Sequence, residues 1–327
     1  MANPPKPAPL ASAPLAYHNA PFLDSPDGRI LRIMAEYEEP MARFRRERIQ
    51  DTVVFFGSAR FRAMETASAE LELLANTGSI EAAPQEEQPA RGDELACKET
   101  SSLKLTRAKA AVEMARFYED ARKLASMITE WAMTLGGHRH RFVICSGGGP
   151  GIMEAANRGA YEAGGKTIGL NIHLPYEQLP NPWIMPALNF EFHYFFMRKY
   201  WFAYLAKALV VFPGGFGTLD EMFEILTLAQ TQKLEEKITV VMYGSKYWNE
   251  VINLKVLAEK GAISPKDLEL FQFADTPEAA FAILKASLME HINTEPVLGE
   301  TPGQPVPEGP APSAEELLGP GIARTLP

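Results

Sequence analysis

The stretch Pro213–Glu221 reads Pro-Gly-Gly-Phe-Gly-Thr-Leu-Asp-Glu and lies between two apolar segments. The run before it, Ala208–Phe212, predicts a buried parallel strand, and the spacing of apolar residues in Met222–Leu228 predicts a helix. A strand, a glycine-rich turn and a helix N-terminus together favour an anion, because glycines expose backbone N–H groups and the helix dipole attracts negative charge. The stretch therefore predicts a phosphate site on an α/β sheet.

Five residues of this stretch are candidates for the site. The backbones of Gly214, Gly215 and Gly217 and the hydroxyl of Thr218 are the predicted phosphate ligands. Glu221 is expected in the first helical turn, and a phosphate cradle does not require it. Two interpretations stay open for this carboxylate: an acid that complements the helix dipole, or a catalytic group beside a bound nucleotide.

Composition limits the class of protein. The chain has 327 residues, 46% hydrophobic and 22% charged, as in a soluble globular protein. A net charge of −9 argues against a nucleic-acid partner. Only Cys97 and Cys145 are present, so a reducing, cytoplasmic location without disulfides is expected. We also expect neither a bilayer-spanning segment nor a secretory signal.

Apolar and polar segments predict one domain between two tails. Residues 1–25 and 293–327 are expected to be disordered, Pro-rich tails, and residues 26–292 a single domain. Within the domain, about 67–102 is expected to be a flexible insertion, because this segment is polar and acidic. Asp27–Gln50 is predicted to be an amphipathic helix with an apolar face of Ile30, Ile33, Met34 and Tyr37.

Strands and helices alternate along the rest of the domain. Helices are expected at 105–135, 152–163, 198–205, 246–260 and 277–291. Strands are expected at 52–56, 142–145, 166–170, 190–194, 208–212, 238–242 and 270–273. This alternation predicts an α/β fold: a doubly wound, mostly parallel sheet with helices on both faces.

Two more glycine-containing loops follow predicted strands. Gly57 and Ser58 end the first strand, and Ser146–Gly151 connects the second strand to a helix. In open α/β sheets, ligands bind at the carboxyl ends of the strands, so these loops are expected near the phosphate site. The candidate ligand residues of the second loop are Gly147, Gly148 and Gly149, with Met153, Glu154 and Asn157 shaping the pocket. None of the loops carries a dinucleotide fingerprint or a Walker lysine.

Arg198 and Lys199 supply the basic groups of the predicted site. Arg198 lies among apolar and aromatic residues near the expected start of a helix. A guanidinium in this setting either pairs with an acid for packing or holds a carboxylate or phosphate through two hydrogen bonds. The six histidines form no cluster with metal-ligand spacing, so no metal site is predicted.

These motifs resemble the Lonely Guy (LOG) family of nucleotide phosphoribohydrolases, formerly described as lysine decarboxylases. Ser146–Ala155 is similar to the first glycine motif of the family, and Pro213–Glu221 to its Pro-Gly-Gly-x-Gly-Thr-x-x-Glu signature. Arg198 and Lys199 match the family's Arg-Lys pair. Phe195–Met197 departs from the Met-His-Glu of plant-type members, so the resemblance does not indicate which base is released.

The resemblance implies a Rossmann-like fold and hydrolysis of the N-glycosidic bond of a nucleoside 5′-monophosphate, without a cofactor. Glu221 would stabilise an oxocarbenium-like ribose and activate water, and Arg198 would position Glu221 or the substrate. Asp220 and Glu224 are rival acids that spacing alone does not exclude. The resemblance also implies a homodimer or a higher homo-oligomer. The alternative function is a non-catalytic carrier of a nucleotide or of molybdenum cofactor with the same fold.

Overall fold

The computed structural model describes residues 12–77, 101–174, 179–233 and 237–294. The strands in these ranges are β1 (Thr52–Phe56), β2 (Val143–Ser146), β3 (Thr167–Ile172), β4 (Asn189–Phe192), β5 (Ala206–Val211), β6 (Thr239–Tyr243) and β7 (Phe271–Ala274). The α-helices are α1 (Ala20–Leu23), α2 (Arg29–Arg46), α3 (Met64–Thr77), α4 (Ser101–Thr134), α5 (Ile152–Glu162), α6 (Phe195–Tyr204), α7 (Phe216–Gln230), α8 (Ser245–Val251), α9 (Leu254–Glu259) and α10 (Pro277–Thr294). Short 3₁₀ segments lie at Ala16–His18, Pro26–Gly28, Pro186–Leu188 and Pro265–Glu269.

The seven strands form one sheet in the order β4-β3-β2-β1-β5-β6-β7, and every neighbouring pair is parallel. The chain runs outward from β1 to β4 and then returns to place β5 on the other side of β1. This topology confirms the predicted doubly wound α/β fold. Because the connections after β1 and β5 leave in opposite directions, a crevice forms at the carboxyl ends of these two strands.

Helices cover both faces of the sheet and create two cores. In β1, Val53 and Phe55 face one core, whereas Val54 and Phe56 face the other. Helices α4, α5 and α10 contribute to the first core, and α2, α6, α7 and α8 to the second. Since β1 is buried along its whole length, its apolar run is the pattern expected of a central parallel strand.

The structure moves several of the predicted boundaries. Residues 16–25, expected in the N-terminal tail, contain a 3₁₀ segment and α1. Residues 67–77, expected in the insertion, belong to α3, which packs on α4 and buries Ala67. The remainder of the insertion, 78–100, and the segments 1–11 and 295–327 lie outside the described residues.

Helix α2 begins close to its predicted start, but its predicted apolar face is only partly buried. Ile33 packs against the core, whereas Ile30 and Met34 are 64% and 56% exposed. The helix contacts the core mainly through Met41 and Phe44, about two and three turns beyond Ile33. The apolar stripe therefore leaves an exposed patch beside α6.

The helix predicted at 246–260 is in fact two helices. Ile252 has extended backbone and ends α8, and Asn253 then caps α9, its side-chain oxygen accepting a hydrogen bond from the amide of Val256. An asparagine is a good N-cap because its side chain satisfies a helix amide that has no partner within the helix. The apolar spacing continues across this break, which explains why the pattern indicated one helix.

Candidate active site

Three loops meet at the carboxyl ends of the central strands. The Ser58 amide, just after β1, donates to the Pro213 carbonyl after β5 at 3.0 Å. The Ser58 carbonyl accepts from the Ile152 amide at the start of α5, 3.1 Å away. Gly57 lies so close to Ile152 that a Cβ there would overlap the isoleucine side chain. The backbone around Gly57 and Ser58 thus joins both glycine loops.

The N-terminus of α7 is an uncapped, exposed helix start. Gly215 is the N-cap residue; it has no side chain to bond the first-turn amides, and the first turn contains no acid. A Cβ at Gly215 or Gly217 would meet no atom of the described chain within 4 Å. The amides of the first turn have no acceptor within the helix, so this helix start combines free donors with a positive dipole end.

Thr218 and Gly214 pack against each other beneath this helix start. Thr218 is buried, and a Cβ at Gly214 would overlap its hydroxyl and methyl groups. The Gly214 carbonyl accepts a hydrogen bond from the Tyr247 hydroxyl of α8 at 2.9 Å. Sequence reasoning did not find Tyr247, because it lies in an otherwise ordinary helix with no motif around it.

The start of α7 corrects the expected position of Glu221. The helix begins at Phe216 rather than Met222, so Glu221 lies in the second turn and not in the first. About 7.5 Å of helix axis separates Phe216 from Glu221, at 1.5 Å per residue. A carboxylate so far along the helix does not cap the first turn, which removes the dipole interpretation of this residue.

Arg198 on α6 and Glu221 on α7 form an ion pair. The Arg198 Nη2 donates to Glu221 Oε1 at 3.0 Å, and the side chains are only 11% and 15% exposed. The guanidinium lies 5.4 Å from the ring centres of Phe195 and Phe202. Its Nη1 is 3.8 Å from the position a Cβ would take on Gly147. Arg198 thus lies between the glycine loop after β2 and the carboxylate of α7.

Burial opposes both charges of this pair. It raises the pKa of Glu221 to about 7, although the positive charge of Arg198 lowers it. It also lowers the pKa of Arg198, although Glu221 acts in the opposite direction. Among the described residues, the buried Nε of Arg198 has no hydrogen-bond partner. A pair held against its own desolvation contributes little to stability, and such perturbed groups concentrate at functional sites.

The two rival acids are engaged elsewhere. Lys199 Nζ lies 2.8 Å from Asp220 Oδ2 and 3.1 Å from Glu224 Oε2, and both carboxylates are more exposed than Glu221. Asp220 and Glu224 are one turn apart, so Lys199 ties one side of α7 to α6. The structure therefore places Lys199 with the acids that flank Glu221, and its predicted contact with substrate stays a prediction.

Three asparagines and a serine shape the glycine loop after β2. The Ser146 hydroxyl accepts from the Gly148 amide at 3.1 Å and donates to Asn157 at 2.7 Å. Asn181 donates to the carbonyls of Gly148 and Gly149, each at 3.1 Å, and to Asn157 at 3.0 Å. These buried side chains form hydrogen bonds with backbone amide and carbonyl groups of the loop, which would otherwise be buried without partners at a cost in free energy.

At the tip of this loop, Gly148 has a positive φ of 74°. A Cβ there would overlap the Asn171 side chain, so only glycine fits this turn. Asn157 was expected to shape the pocket, and the structure places it under the loop instead. Asn171 and Asn181 were not found from the sequence, since each is an isolated polar residue in a strand or loop.

Two further predicted pocket residues, Met153 and Glu154, have different neighbours in the structure. The Met153 sulfur packs on Gly147, beside Arg198. Glu154, by contrast, accepts a hydrogen bond from the Tyr118 hydroxyl of α4 at 3.0 Å. This hydrogen bond ties Glu154 to α4, and its predicted contribution to the pocket stays a prediction.

Two negative findings apply to the ranges that the structure describes. They contain no group of three or more His, Cys, Asp or Glu side chains arranged to hold a metal ion. They also contain no helix with the length and apolar character needed to cross a bilayer.

The raised pKa of Glu221 predicts how stability depends on pH. Between about pH 4.5 and 7 the folded protein holds a proton on Glu221 that the unfolded chain has released, so stability is lost as pH rises. We expect the unfolding free energy of the wild type to fall by about 3 kcal/mol relative to Glu221→Gln across this range. Urea unfolding of both proteins at several pH values measures the difference. A difference that does not change with pH would contradict the raised pKa.

The fold and site define a class: a doubly wound parallel α/β protein with an uncapped helix start beside a buried Arg–Glu pair. A family model described as "Possible lysine decarboxylase" matches residues 153–284. A probable cytokinin riboside 5′-monophosphate phosphoribohydrolase of Oryza sativa is 24% identical over 160 residues, 47% of this chain and 61% of that relative. A cytokinin riboside 5′-monophosphate phosphoribohydrolase of Arabidopsis thaliana is 26% identical over 140 residues, 41% and 62% of the two chains. These matches confirm the predicted resemblance to the LOG family.

The extent of these matches is limited. The chain spans about three fifths of the length of these two curated relatives. A phosphoribohydrolase of the same description from Rhodococcoides fascians is 25% identical, over 44% of this chain and 73% of the relative. A solved structure of the molybdenum cofactor carrier protein of Chlamydomonas reinhardtii is 21% identical and covers 53% of this chain and 89% of that one. Its TM-score of 0.34 is too low to bear on function.

Proposed function

We propose that this protein hydrolyses the N-glycosidic bond of a nucleoside 5′-monophosphate and releases the free base and ribose 5-phosphate. The observation that carries the proposal is the largely buried Arg198–Glu221 pair, just over one helical turn beyond the uncapped start of α7. A pure binder needs an anion site, whereas it does not need a carboxylate held against its own desolvation. The LOG relatives, whose names describe phosphoribohydrolases, support the same reaction class.

The 5′-phosphate would bind at the start of α7. The amides after Gly215 donate to its oxygens, and the positive end of the helix dipole attracts its charge. Because Gly217 has no side chain, the phosphate can approach the backbone closely. The buried Thr218 packs beneath the loop. The ribose of a nucleotide bound in this way extends from the phosphate toward the second turn of α7, where Glu221 lies.

The reaction would proceed through an oxocarbenium-like ribose. The bond between C1′ and the base nitrogen breaks, its electron pair leaves with the base, and the base nitrogen takes up a proton from solvent. The Glu221 carboxylate stabilises the positive charge that develops on the ribose, and it accepts the proton of the water that attacks C1′. Arg198 fixes the carboxylate through the 3.0 Å hydrogen bond. Because the pKa of Glu221 is about 7, we expect turnover to rise with pH as the carboxylate ionises.

A panel of nucleoside 5′-monophosphates tests this function. The purified chain is incubated with each nucleotide, free base is measured by chromatography, and the corresponding nucleosides without phosphate are the controls. We expect release from at least one nucleotide and from none of the nucleosides, because the α7 site binds the phosphate. Tight nucleotide binding without release from any nucleotide would replace this function with that of a carrier.

The proposal includes a homodimer and no cofactor. Helices α2 and α6 lie next to each other, as the 5.6 Å contact between the rings of Tyr37 and the partly buried Tyr200 shows. Ile30, Met34 and Phe196 are each more than half exposed on the same side of the sheet as Arg198. A surface of this kind is commonly covered by a partner, and a second copy is the partner that we propose. Light scattering of the purified chain tests the dimer.

A further inference from the structure

Glu36 on α2 holds the chain that leads into α6. Its Oε1 accepts from the His193 amide at 2.7 Å, and its Oε2 accepts from the Tyr194 amide at 3.3 Å. The backbone carbonyl of the same residue accepts from Trp201 Nε1 at 2.9 Å. One residue of α2 therefore contacts both the entrance and the second turn of α6. Hydrogen bonds to a carboxylate are stronger than those between neutral groups.

These contacts lead directly to Arg198. Tyr194 is the N-cap residue of α6, and its own side chain makes no capping hydrogen bond. The Tyr194 carbonyl accepts from the Arg198 amide at 3.2 Å, so only one residue separates the Glu36 carboxylate from the backbone of Arg198. The first turn of α6 contains no acid, and Glu36 supplies the negative charge that the start of a helix favours.

Resting on the proposed function, we infer that Glu36 is a positioning residue for Arg198. It fixes the start of α6 so that the guanidinium reaches Glu221 and the glycine loop after β2 together. Helix α2 lies outside residues 153–284, the part that the family model matches. This segment therefore takes part in the active site through α6, without contacting substrate.

The ionisation of Glu221 distinguishes positioning from plain support of the fold. The charged groups that face Glu221 are Arg198 and Lys199 from α6 and Asp220 and Glu224 from its own helix. Arg198 and Lys199 lower its pKa, and the two acids raise it. When Arg198 withdraws, the carboxylate loses its nearest positive charge. The acidic limb of the pH–rate profile then moves to higher pH, a change that loss of stability alone does not produce.

The experiment compares Glu36→Ala and Glu36→Gln with Glu38→Gln, an exposed position on the same helix, in the full chain. Turnover of adenosine 5′-monophosphate and the other nucleotides of the panel is measured from pH 5 to 9, and amide exchange is measured across 193–198. For Glu36→Ala we expect kcat to fall about 100-fold, with a smaller change in KM, since small displacements of catalytic groups have effects of this size. We also expect a shifted acidic limb and faster exchange of the His193 and Tyr194 amides.

The two other variants bracket this result. Glu36→Gln keeps one acceptor oxygen, so an intermediate kcat is expected, and Glu38→Gln should match the wild type. If Glu36→Ala does not fold, the pH–rate profile of Glu36→Gln shows whether the acidic limb is shifted or remains at its wild-type position. The inference would be overturned if the folded Glu36 variants had the kcat of the wild type and the same acidic limb in the pH–rate profile. If the wild type hydrolyses no nucleotide, the proposed function fails independently of this inference. Amide exchange at 193–194 then still tests whether Glu36 fixes the start of α6, and unchanged protection in the Glu36 variants would overturn the inference.

Discussion

Replacing Glu221 with Gln is expected to lower nucleotide hydrolysis by about a thousandfold or more while nucleotide binding is kept. The amide has the size of the carboxylate and still accepts from Arg198, so the geometry of α6 and α7 is preserved. It does not carry the negative charge that stabilises the ribose cation, and it does not take the proton of water. Removing a negative group near the phosphate also favours binding, so the dissociation constant should stay equal or decrease. Release of free base and calorimetric titration with the nucleotide measure the two quantities.

The matched control for this variant is Glu224→Gln, one turn further along the same helix. Glu224 pairs with Lys199 at 3.1 Å and does not pair with Arg198, so its loss should change turnover only slightly. Asp220→Asn serves as a second control, because Asp220 contacts the same lysine. If Glu221→Gln turned over normally while either control was inactive, the catalytic role would move to that acid.

Replacing Gly159 with Ala is expected to have the largest effect on stability. Gly159 lies where α5 crosses α4, and an added Cβ would lie 2.8 Å from the Arg122 carbonyl carbon and closer still to its oxygen. Both neighbours are backbone atoms of rigid helices, so the helices must separate. We expect a loss of about 3 kcal/mol, which for a chain of this size lowers Tm by about 5 °C or more. Thermal unfolding followed by circular dichroism measures it.

The same substitution should also weaken nucleotide binding, because α5 begins at the glycine loop after β2. Gly217→Ala is the matched control for stability, since a Cβ there meets nothing within 4 Å in the described chain. A Tm for Gly159→Ala equal to that of Gly217→Ala would show that α4 and α5 move apart without cost.

The order and direction of the elements were accessible from the sequence for a physical reason. Parallel strands buried on both faces, such as β1 and β5, contain short apolar runs, and each is followed by a glycine turn and a helical pattern. Boundaries were less accessible. The start of α7 was placed six residues late, because Pro213–Glu221 contains glycines and polar residues that conceal a helix beginning at Phe216.

Part of the site was also accessible, namely the residues that belong to motifs. Arg198 and Glu221 are 23 residues apart, and their hydrogen bond agrees with the pairing that the resemblance implied. Spacing did not show which acid meets which base, and the structure assigns Lys199 to Asp220 and Glu224. Helical residues one position apart point in different directions, so neighbours in a motif serve different partners.

The supporting residues were not accessible. Glu36 lies more than 150 residues from the amides that it binds, and Asn181 contacts a loop more than 30 residues before it. Neither lies in a motif, and each has the appearance of an ordinary surface or loop residue in the sequence. Glu154 lies in a motif, but the motif does not indicate its hydrogen bond with Tyr118 of α4. Long-range contacts of this kind depend on how layers pack, which local patterns do not encode.

The groups that shape the loop after β2 have one further consequence. Ser146, Asn157 and Asn181 carry hydroxyl and amide groups, which neither gain nor lose protons between pH 5 and 9. Glu221, whose pKa is about 7, changes charge within that interval. A change of pH therefore alters the charge of the proposed catalytic carboxylate, whereas the hydrogen bonds that shape the loop after β2 stay the same. We therefore expect pH to change the rate at which a bound nucleotide is hydrolysed, and not the geometry in which it is bound.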